Sequence, residues 1–286
     1  MRIGVLADLH WSVAPGAAAR WHAPYDFDGL EARCRATVHA LAARGCDLLV
    51  LAGDLTHDGD GASCEAALDC VLGASPIPVA VVEGNHDVLR DRAFAPRRAD
   101  VRAAWRRAEA IARERLVALC GVAVDRDGRW APVGGTGSAA GALATVAVSH
   151  YPLAPHAERL DAAGLPFPGE LADRRLLLEL LAATRVPTVA LSGHLHVRDA
   201  SAHENVLQIC VPALAEPPYE AAVVELDPLA QVVRCTRIRG AGRAAERAAA
   251  PWLLAAAEER WSFADGAWSR DEVAAPRRRV LAEAGR

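Results

Sequence analysis

The sequence contains no lysine, so all 32 of its Lys and Arg side chains are arginine. This excludes lysine Schiff-base chemistry and the phosphate-binding P-loop, because both need a lysine. Aromatic residues make up only 5% of the 286 residues, so the 52% hydrophobic content is mostly Ala, Leu and Val. That content is enough to bury one sizeable core, in one or two domains.

The chain also lacks the signs of a secreted, membrane or strongly basic protein. Its 7 cysteines are odd in number and include no CxxC pair, which predicts free thiols in a reducing compartment. The N-terminus lacks the pattern of a signal peptide, and no apolar run reaches transmembrane length. The formal net charge of -4 does not indicate a nucleic-acid-binding surface. We therefore expect a soluble cytoplasmic protein that does not bind membranes. Nucleic acid is not the expected partner, although a local basic patch and homo-oligomerisation both stay open.

Short apolar runs alternate with stretches of helical periodicity over the first two thirds of the chain. The runs that predict buried strands are Ile3 to Ala7, Asp47 to Ala52, Val79 to Val82, Thr145 to Ser149 and Val186 to Ser192. The stretches that predict helices are Leu30 to Arg44, Ser63 to Leu72, Arg174 to Ala183 and a longer amphipathic one, Asp100 to Leu119. Alternating strands and helices indicate an α/β architecture.

The remaining predicted elements are mostly strands. Short runs at Val122 to Val124 and Arg129 to Val133 flank a "DRDG" turn, and three more follow at Val206 to Val211, Ala221 to Leu226 and Val232 to Ile238. The composition shifts to Ala and Arg near Gly240. We therefore predict a catalytic domain over 1–240 and a partly flexible extension over 241–286. The extension is expected to be helical after Pro251, with a hairpin at "RWSFADGAWSR".

Polar side chains follow the predicted strands at the point where each one ends. The candidates are Asp8, His10, Asp54, Asn85, His86, His150, His194 and His196. Loops at the carboxyl ends of strands form the ligand crevice of open α/β sheets. Carboxylate, imidazole and amide oxygen hold borderline divalent metals such as Mn, Fe and Zn, and seven of these eight side chains can supply two ions if one carboxylate bridges them. Two ions can clamp both the attacking and the leaving oxygen in phosphoryl transfer.

The spacing within these motifs suggests a geometric reason for the convergence. Asp8 and His10, like His194 and His196, are two residues apart, and side chains at that spacing point the same way in an extended segment. Gly53, Gly84 and Gly193 each precede a candidate ligand. Glycine there allows a tight turn or a close backbone approach.

The ordered set "DLH … GDLTHDG … GNHD … SHYP … GHLH" resembles the calcineurin-like metallophosphoesterase superfamily. It looks most like the bacterial branch that hydrolyses cyclic nucleotides and glycerophosphodiesters. The resemblance extends from Asp8 to His196, about two thirds of the chain. It implies a four-layer α/β/β/α sandwich of two mixed sheets flanked by helices.

The same resemblance implies two divalent ions and a role for each motif residue. One ion would be held by Asp8, His10, Asp54 and His196, and the other by Asp54, Asn85, His150 and His194, with Asp54 as the bridge. A metal-bound hydroxide would attack the phosphorus. His86 matches a non-ligand histidine that contacts the phosphate and protonates the leaving group, and Asp87 would orient His86.

The expected substrate is a small phosphodiester such as a cyclic nucleotide. A phosphomonoesterase, a nuclease of the same superfamily and a non-enzymatic scaffold of the same fold are the alternatives. Trp11, His22 and His57 are candidates to line the substrate pocket, although ordinary loop packing explains Trp11 and His22 equally well. Purple acid phosphatases place a tyrosine ligand where this chain has His57, so their tyrosine–iron chemistry is not expected.

Overall fold

The computed structural model describes residues 1–14, 25–89, 97–124, 129–133, 141–166, 169–239 and 253–271. These residues contain thirteen strands and five α-helices. The strands are β1 (Arg2–Leu6), β2 (Leu48–Ala52), β3 (Val79–Val82), β4 (Val117–Val124), β5 (Trp130–Val133), β6 (Ala144–Ser149), β7 (Thr188–Ser192), β8 (Asp199–His203), β9 (Val206–Cys210), β10 (Glu220–Asp227), β11 (Val232–Arg239), β12 (Glu258–Ala264) and β13 (Ala267–Arg270). The helices are α1 (Leu30–Ala43), α2 (Gly61–Ala74), α3 (Arg98–Glu114), α4 (Ala157–Ala162) and α5 (Arg174–Ala183).

The strands form two mixed sheets. The first has the order β13-β12-β11-β10-β1-β2-β3, with β1, β2 and β3 parallel to one another. The second has the order β5-β4-β6-β7-β9-β8, with β4, β6, β7 and β9 parallel. The carboxyl ends of β1, β2 and β3 therefore share one edge of the first sheet, and those of β6 and β7 share one edge of the second.

Three apolar clusters show how the layers pack. The largest joins both sheets, with Ile3 and Val50 from one and Val146 and Leu207 from the other. A second cluster packs α1 and α2 on the outer face of the first sheet, and a third packs α5 on the outer face of the second. Continuous burial of strands such as β2 and β7 reflects this two-sided covering. The expected α/β/β/α sandwich is confirmed.

The boundary between α3 and β4 differs from the sequence prediction. The helix ends at Glu114, and Val117 to Leu119, predicted as its last residues, begin β4 instead. Leu116 has φ +59°, which ends the helical path, and Val117 then pairs with Ala144 of β6. Burial in the sheet prevails over helical periodicity here. The predicted "DRDG" turn lies outside the described residues.

The C-terminal region is partly as predicted. The expected hairpin is present as β12 and β13, with Asp265 and Gly266 as its two-residue turn, both at positive φ. It pairs with β11 and so extends the first sheet. The predicted helix after Pro251 is wrong for residues 253–257, where Leu253 instead forms a bridge with Arg198. Within the described ranges, no helix is both long and apolar enough to cross a membrane.

Candidate metal centre

Backbone hydrogen bonds bring the motif loops together at the carboxyl ends of the strands. The amides of Asp8 and His10 donate to the carbonyls of Gly53 and Asp54, at 3.1 and 2.9 Å. In the second sheet, the amide of Gly193 donates to the carbonyl of His150 at 3.2 Å. Main-chain hydrogen bonds alone therefore join these loops in pairs.

The local backbone of the candidate ligands is unusual and corrects one sequence argument. Positive φ angles occur at Asp8 (+53°), His10 (+46°), Asp54 (+49°), His194 (+66°) and His196 (+51°). The i and i+2 pairs therefore do not converge through an extended segment, as the spacing had suggested. They converge because both members adopt the left-handed conformation, which is costly for non-glycine residues and is typical of functional sites.

Two glycines allow the loops to approach these carboxylates closely. A Cβ atom on Gly84 would lie 2.2 Å from Oδ1 of Asp54, and one on Gly193 would lie 2.3 Å from Oδ2 of Asp8. Both distances are below any tolerable contact, so each position requires glycine. The close approach expected from the sequence is confirmed.

One group of candidate ligands gathers around His10. Its Nε2 lies 3.1 Å from Nε2 of His196 and 3.8 Å from Oδ2 of Asp54. Nε2 of His196 also lies 3.5 Å from Oδ1 of Asp8. All four side chains are buried. The first predicted ligand set is therefore brought together in space.

The second group gathers around Asn85. Its Oδ1 lies 3.0 Å from Nε2 of His150 and 3.1 Å from Nδ1 of His194. The same His150 nitrogen is 3.2 Å from Oδ2 of Asp54. Oδ2 of Asp54 thus faces both groups, the position that a bridging ligand needs.

The protonation pattern of His150 fits a divalent cation at this position. Nδ1 of His150 contacts the carbonyl of Ala52 at 2.9 Å, and a carbonyl only accepts, so Nδ1 carries the proton. In the neutral imidazole, the Nε2 lone pair then faces the oxygens of Asp54 and Asn85. A lone pair facing two acceptors is repulsive unless a cation or a proton lies between them.

The electrostatics of His150 and His196 lead to the same conclusion. Burial alone would lower the pKa of His150, but the Asp54 carboxylate raises it to about 9. The pKa of His196 is likewise lowered by burial and raised by Asp8 and Glu216, reaching about 10 overall. The carboxylates thus attract positive charge into a buried space. Protons and metal ions compete for it, as at any histidine–carboxylate metal site.

Glu216 is a member of the site that sequence reasoning missed. Its Oε1 lies 2.6 Å from Nδ1 of His196, on the far side of the ring from the ligand cluster. A carboxylate at that position fixes the tautomer of a ligand histidine and increases its basicity. Glu216 follows β9, a parallel strand of the second sheet, and that position is the only sequence signal that could have identified it.

Comparisons with known proteins agree with this geometry. The family model of calcineurin-like phosphoesterases matches residues 1–198. The chain belongs to the calcineurin-like phosphoesterase family. The resemblance inferred from the motifs is confirmed, and family membership identifies the chain as a phosphoesterase.

Solved structures of low identity are similar to this calcineurin-like phosphoesterase. A dimetal phosphatase from Danio rerio shares the fold, with a TM-score of 0.59 at 15% identity, covering 84% of this chain and 96% of that one. An archaeal phosphodiesterase gives a TM-score of 0.40 at 13% identity, covering 83% and 100%. A purple acid phosphatase from yellow lupin gives 0.48 at 12% identity, covering 83% and 51%. No curated protein matches the sequence.

In this calcineurin-like phosphoesterase, His86 lies beside the first ligand group. Its ring is edge-on to that of His10, with centroids 4.7 Å apart, and its amide donates to Oδ1 of Asp54 at 2.8 Å. Nδ1 of His86 lies 2.6 Å from the carbonyl of His57. That carbonyl only accepts, so it fixes the proton on Nδ1 and leaves Nε2 for a proton transfer.

The predicted role of Asp87 in orienting His86 is wrong. The buried Asp87 carboxylate accepts instead from the amides of Leu55, Thr56 and Gly84 and from the Thr56 hydroxyl, at 2.8 to 3.2 Å. Burial and the nearby Asp54 charge raise the pKa of Asp87 to about 7, while these amides oppose the rise. Asp87 therefore ties the Asp54 loop to the Asn85 loop, and the His57 carbonyl orients His86.

We expect Asp87→Asn to destabilise the fold rather than to change the chemistry directly. The new amide group would face backbone donors, leaving buried N–H groups unpaired at about 1–3 kcal/mol each. The free energy of unfolding of the metal-free protein should fall by about 2 kcal/mol or more in urea titrations. Asp58→Asn, in the same segment, is the control. An unchanged urea midpoint for Asp87→Asn would contradict this role.

The three predicted pocket residues have different surroundings. His22 lies outside the described residues. Trp11 is 9% exposed and packs in the apolar cluster beneath α1 and α2, which favours the packing interpretation. His57 is half-buried, and its ring stacks on that of His86 with centroids 5.6 Å apart. Burial, and then His86, lower the pKa of His57.

Aromatic rings that the sequence did not indicate form a wall beside the first group. The Tyr25 ring stacks on that of His10, with centroids 4.9 Å apart and an interplanar angle of 18°. The ring of Phe27 packs edge-on against those of Tyr25 and His57, at 5.7 and 5.6 Å. Beside the second group, the ring centroid of Tyr151 lies 4.0 Å from that of His194. The metal centre is thus flanked by flat apolar surfaces.

Proposed function

We propose that this chain is a dinuclear-metal-dependent phosphodiesterase that hydrolyses a small phosphodiester such as a cyclic nucleotide. The observation that supports it most is the convergence of seven side chains in two groups that share Oδ2 of Asp54. The mixed oxygen and nitrogen donors suit Mn, Fe or Zn. We also propose a cytoplasmic location, because all seven cysteines are free.

Asp54, Glu216 and His86 each have a distinct role in the proposed reaction. When bound, two divalent cations would neutralise charge on the phosphoryl oxygens and lower the pKa of the attacking water. Asp54 would keep the two positions at a fixed separation, and Glu216 would hold the ring of His196 in place. His86, in the form that carries both ring protons, would give the Nε2 proton to the leaving oxygen and would remain as the neutral imidazole with its Nδ1–H on the His57 carbonyl.

The aromatic wall supports a diester over a monoester. A phosphodiester carries a second organic group that must leave water when the phosphorus reaches the metal centre. Tyr25, Phe27 and the His57 ring offer apolar faces beside that centre. The net charge of -4 gives no support for a long nucleic acid as the substrate.

We expect Tyr25→Ala to discriminate between the two substrate classes. With saturating Mn²⁺, its KM for bis-p-nitrophenyl phosphate should rise by about fivefold, because an aromatic contact is worth about 1 kcal/mol. Its KM for p-nitrophenyl phosphate should change little. Tyr25→Phe, which keeps the ring, is the matched control. Equal effects on both esters, or a wild-type preference for the monoester, would favour the phosphomonoesterase alternative.

A further inference from the structure

A buried arginine contacts two segments that lead to the metal centre. Arg33, on α1, is 2% exposed. Burying a guanidinium is costly unless its hydrogen bonds and charge are satisfied. The groups that contact Arg33 therefore identify the segments that this buried side chain holds in place.

The first segment that Arg33 contacts contains Asp26 and is continuous with the aromatic wall. Nη2 of Arg33 forms a short ion pair with Oδ2 of Asp26, whose Oδ1 accepts from the amide of Gly29 at 3.1 Å. The neighbour of Asp26 is Tyr25, whose ring stacks on His10. The Arg33–Asp26 pair thus fixes the segment that places Tyr25.

The second partner segment leads to Glu216 from both sides. Nη1 of Arg33 donates to the carbonyl of Leu214 at 3.2 Å, and the guanidinium lies 3.9 Å above the ring of Tyr219. Glu216 lies between these two anchors and contacts His196. In the same loop, the amide of Ala215 donates to the carbonyl of Asp8 at 3.3 Å.

All of these contacts lead to one half of the centre. They end at Asp8, His10 and His196, the three side chains proposed for one ion in addition to the bridging Asp54. The other half has its own support, because Gln208 accepts from the amide of Leu153 at 2.8 Å and donates to the Ser192 hydroxyl at 2.9 Å. Those contacts fix the loops that carry His150 and His194.

We propose that Arg33 is a positioning residue for the ion on the Asp8, His10 and His196 side, acting through the loops of Asp26 and Glu216. This inference rests on the proposed two-ion site. Lysine at position 33 would keep the charge. A single ammonium, however, cannot bond to Asp26, bond to Leu214 and lie flat on Tyr219 at once.

The test is calorimetric titration of metal-free protein with Mn²⁺, which reads ion affinity without activity. His196→Ala and Asn85→Ala assign the two binding steps to the two halves. One of the two Mn²⁺-binding steps should be missing in His196→Ala. Arg33→Lys should lower the Mn²⁺ affinity of that step by about tenfold or more, the range seen when the partner of a ligand histidine is changed. Arg33→Lys should not change the Mn²⁺ affinity of the other binding step, which should be missing in Asn85→Ala. Asp26→Asn, at a partly exposed position, should show the same selectivity to a smaller extent.

Two controls distinguish this role from general stabilisation. Arg35→Gln removes an exposed arginine of the same helix that pairs with Glu31, and it should leave both steps unchanged. Glu216→Gln should weaken the same step as Arg33→Lys, and the double variant should lose less than the sum of the two changes, because they act through one loop.

Three outcomes would overturn the role of Arg33. They are unchanged affinities in Arg33→Lys and Asp26→Asn, equal weakening of both steps, and full additivity of Arg33→Lys with Glu216→Gln. In each of these cases the proposed function still stands if the wild-type protein binds two ions. A wild-type protein that binds none of Mn²⁺, Fe²⁺ and Zn²⁺ stoichiometrically would contradict the proposed function itself.

Discussion

Asp54→Asn should abolish phosphodiester hydrolysis while leaving the protein folded. The fold should survive because the amide oxygen of the new side chain can still accept from the His86 amide, as Oδ1 of Asp54 does at 2.8 Å. The new amide nitrogen, in place of Oδ2, can donate to Nε2 of His150, which lies 3.2 Å away. The substitution therefore removes a charge at almost constant shape.

The rate loss follows from the position of that charge between the two groups. Burial would raise the pKa of Asp54, but His150 and the other imidazoles lower it overall, so the wild-type residue is a carboxylate. Without it, the bridge and one negative charge are lost for both ions. Two ions supply several kcal/mol of transition-state stabilisation, so we expect a loss on the order of 10³-fold or more in kcat/KM.

The controls for Asp54→Asn are nearby in the chain. Asp58→Asn changes the charge of the same loop, and His57→Ala removes the ring in the position of the purple acid phosphatase tyrosine. We expect both variants to retain two ions. Asp58→Asn should keep most of the activity, and His57→Ala, which removes one ring of the aromatic wall, should cost much less than Asp54→Asn. If His57→Ala is as damaging as Asp54→Asn, then His57 is a ligand and the seven-residue set is incomplete.

His86→Ala should produce a rate loss that depends on the leaving group. A general acid contributes about 10²–10⁴-fold when the leaving group needs a proton. Hydrolysis of a cyclic nucleotide or another alkyl diester should slow by that amount. Hydrolysis of bis-p-nitrophenyl phosphate should slow much less, because nitrophenolate leaves without a proton.

Other outcomes for His86→Ala assign other roles to the residue. Equal losses on both substrates would show that His86 stabilises charge on the phosphoryl group instead. Loss of bound metal would make it a ligand or a structural residue. Asp87→Asn, expected from the motif to be a weaker copy of His86→Ala, should now show no dependence on the leaving group, because Asp87 bonds to the backbone of the Asp54 and Gly84 loops.

The sequence predicted the motif positions because each follows a buried strand and the parallel ends of strands share one sheet edge. Asp8 after β1, Asp54 after β2, His150 after β6 and His194 after β7 could be placed in this way before any coordinates. The sandwich could be predicted from the same motifs through the family resemblance.

What the sequence could not predict depends on contacts between distant segments. Glu216 reaches His196 and Arg33 reaches Leu214 across loops with no local pattern. The motif alone suggested that Asp87 orients its neighbour His86. The Asp87 carboxylate instead accepts hydrogen bonds from the amides of Leu55 and Thr56, which lie more than thirty residues away in the chain. The left-handed conformation at His10 and His196 could not be predicted either, because it is rare for any non-glycine residue, although histidine adopts it more often than most.

The proposed function requires that this cluster hold two metal ions for hydrolysis to occur. Its most direct test is to count the metal ions bound per chain and to measure bis-p-nitrophenyl phosphate hydrolysis in the same samples, as Mn²⁺ is added back to chelator-treated protein. We predict two bound ions per chain at saturation, with hydrolysis rising as the second ion binds. Absence of stoichiometric metal, or two bound ions without hydrolysis of any phosphate ester, would contradict the claim and indicate a non-enzymatic scaffold.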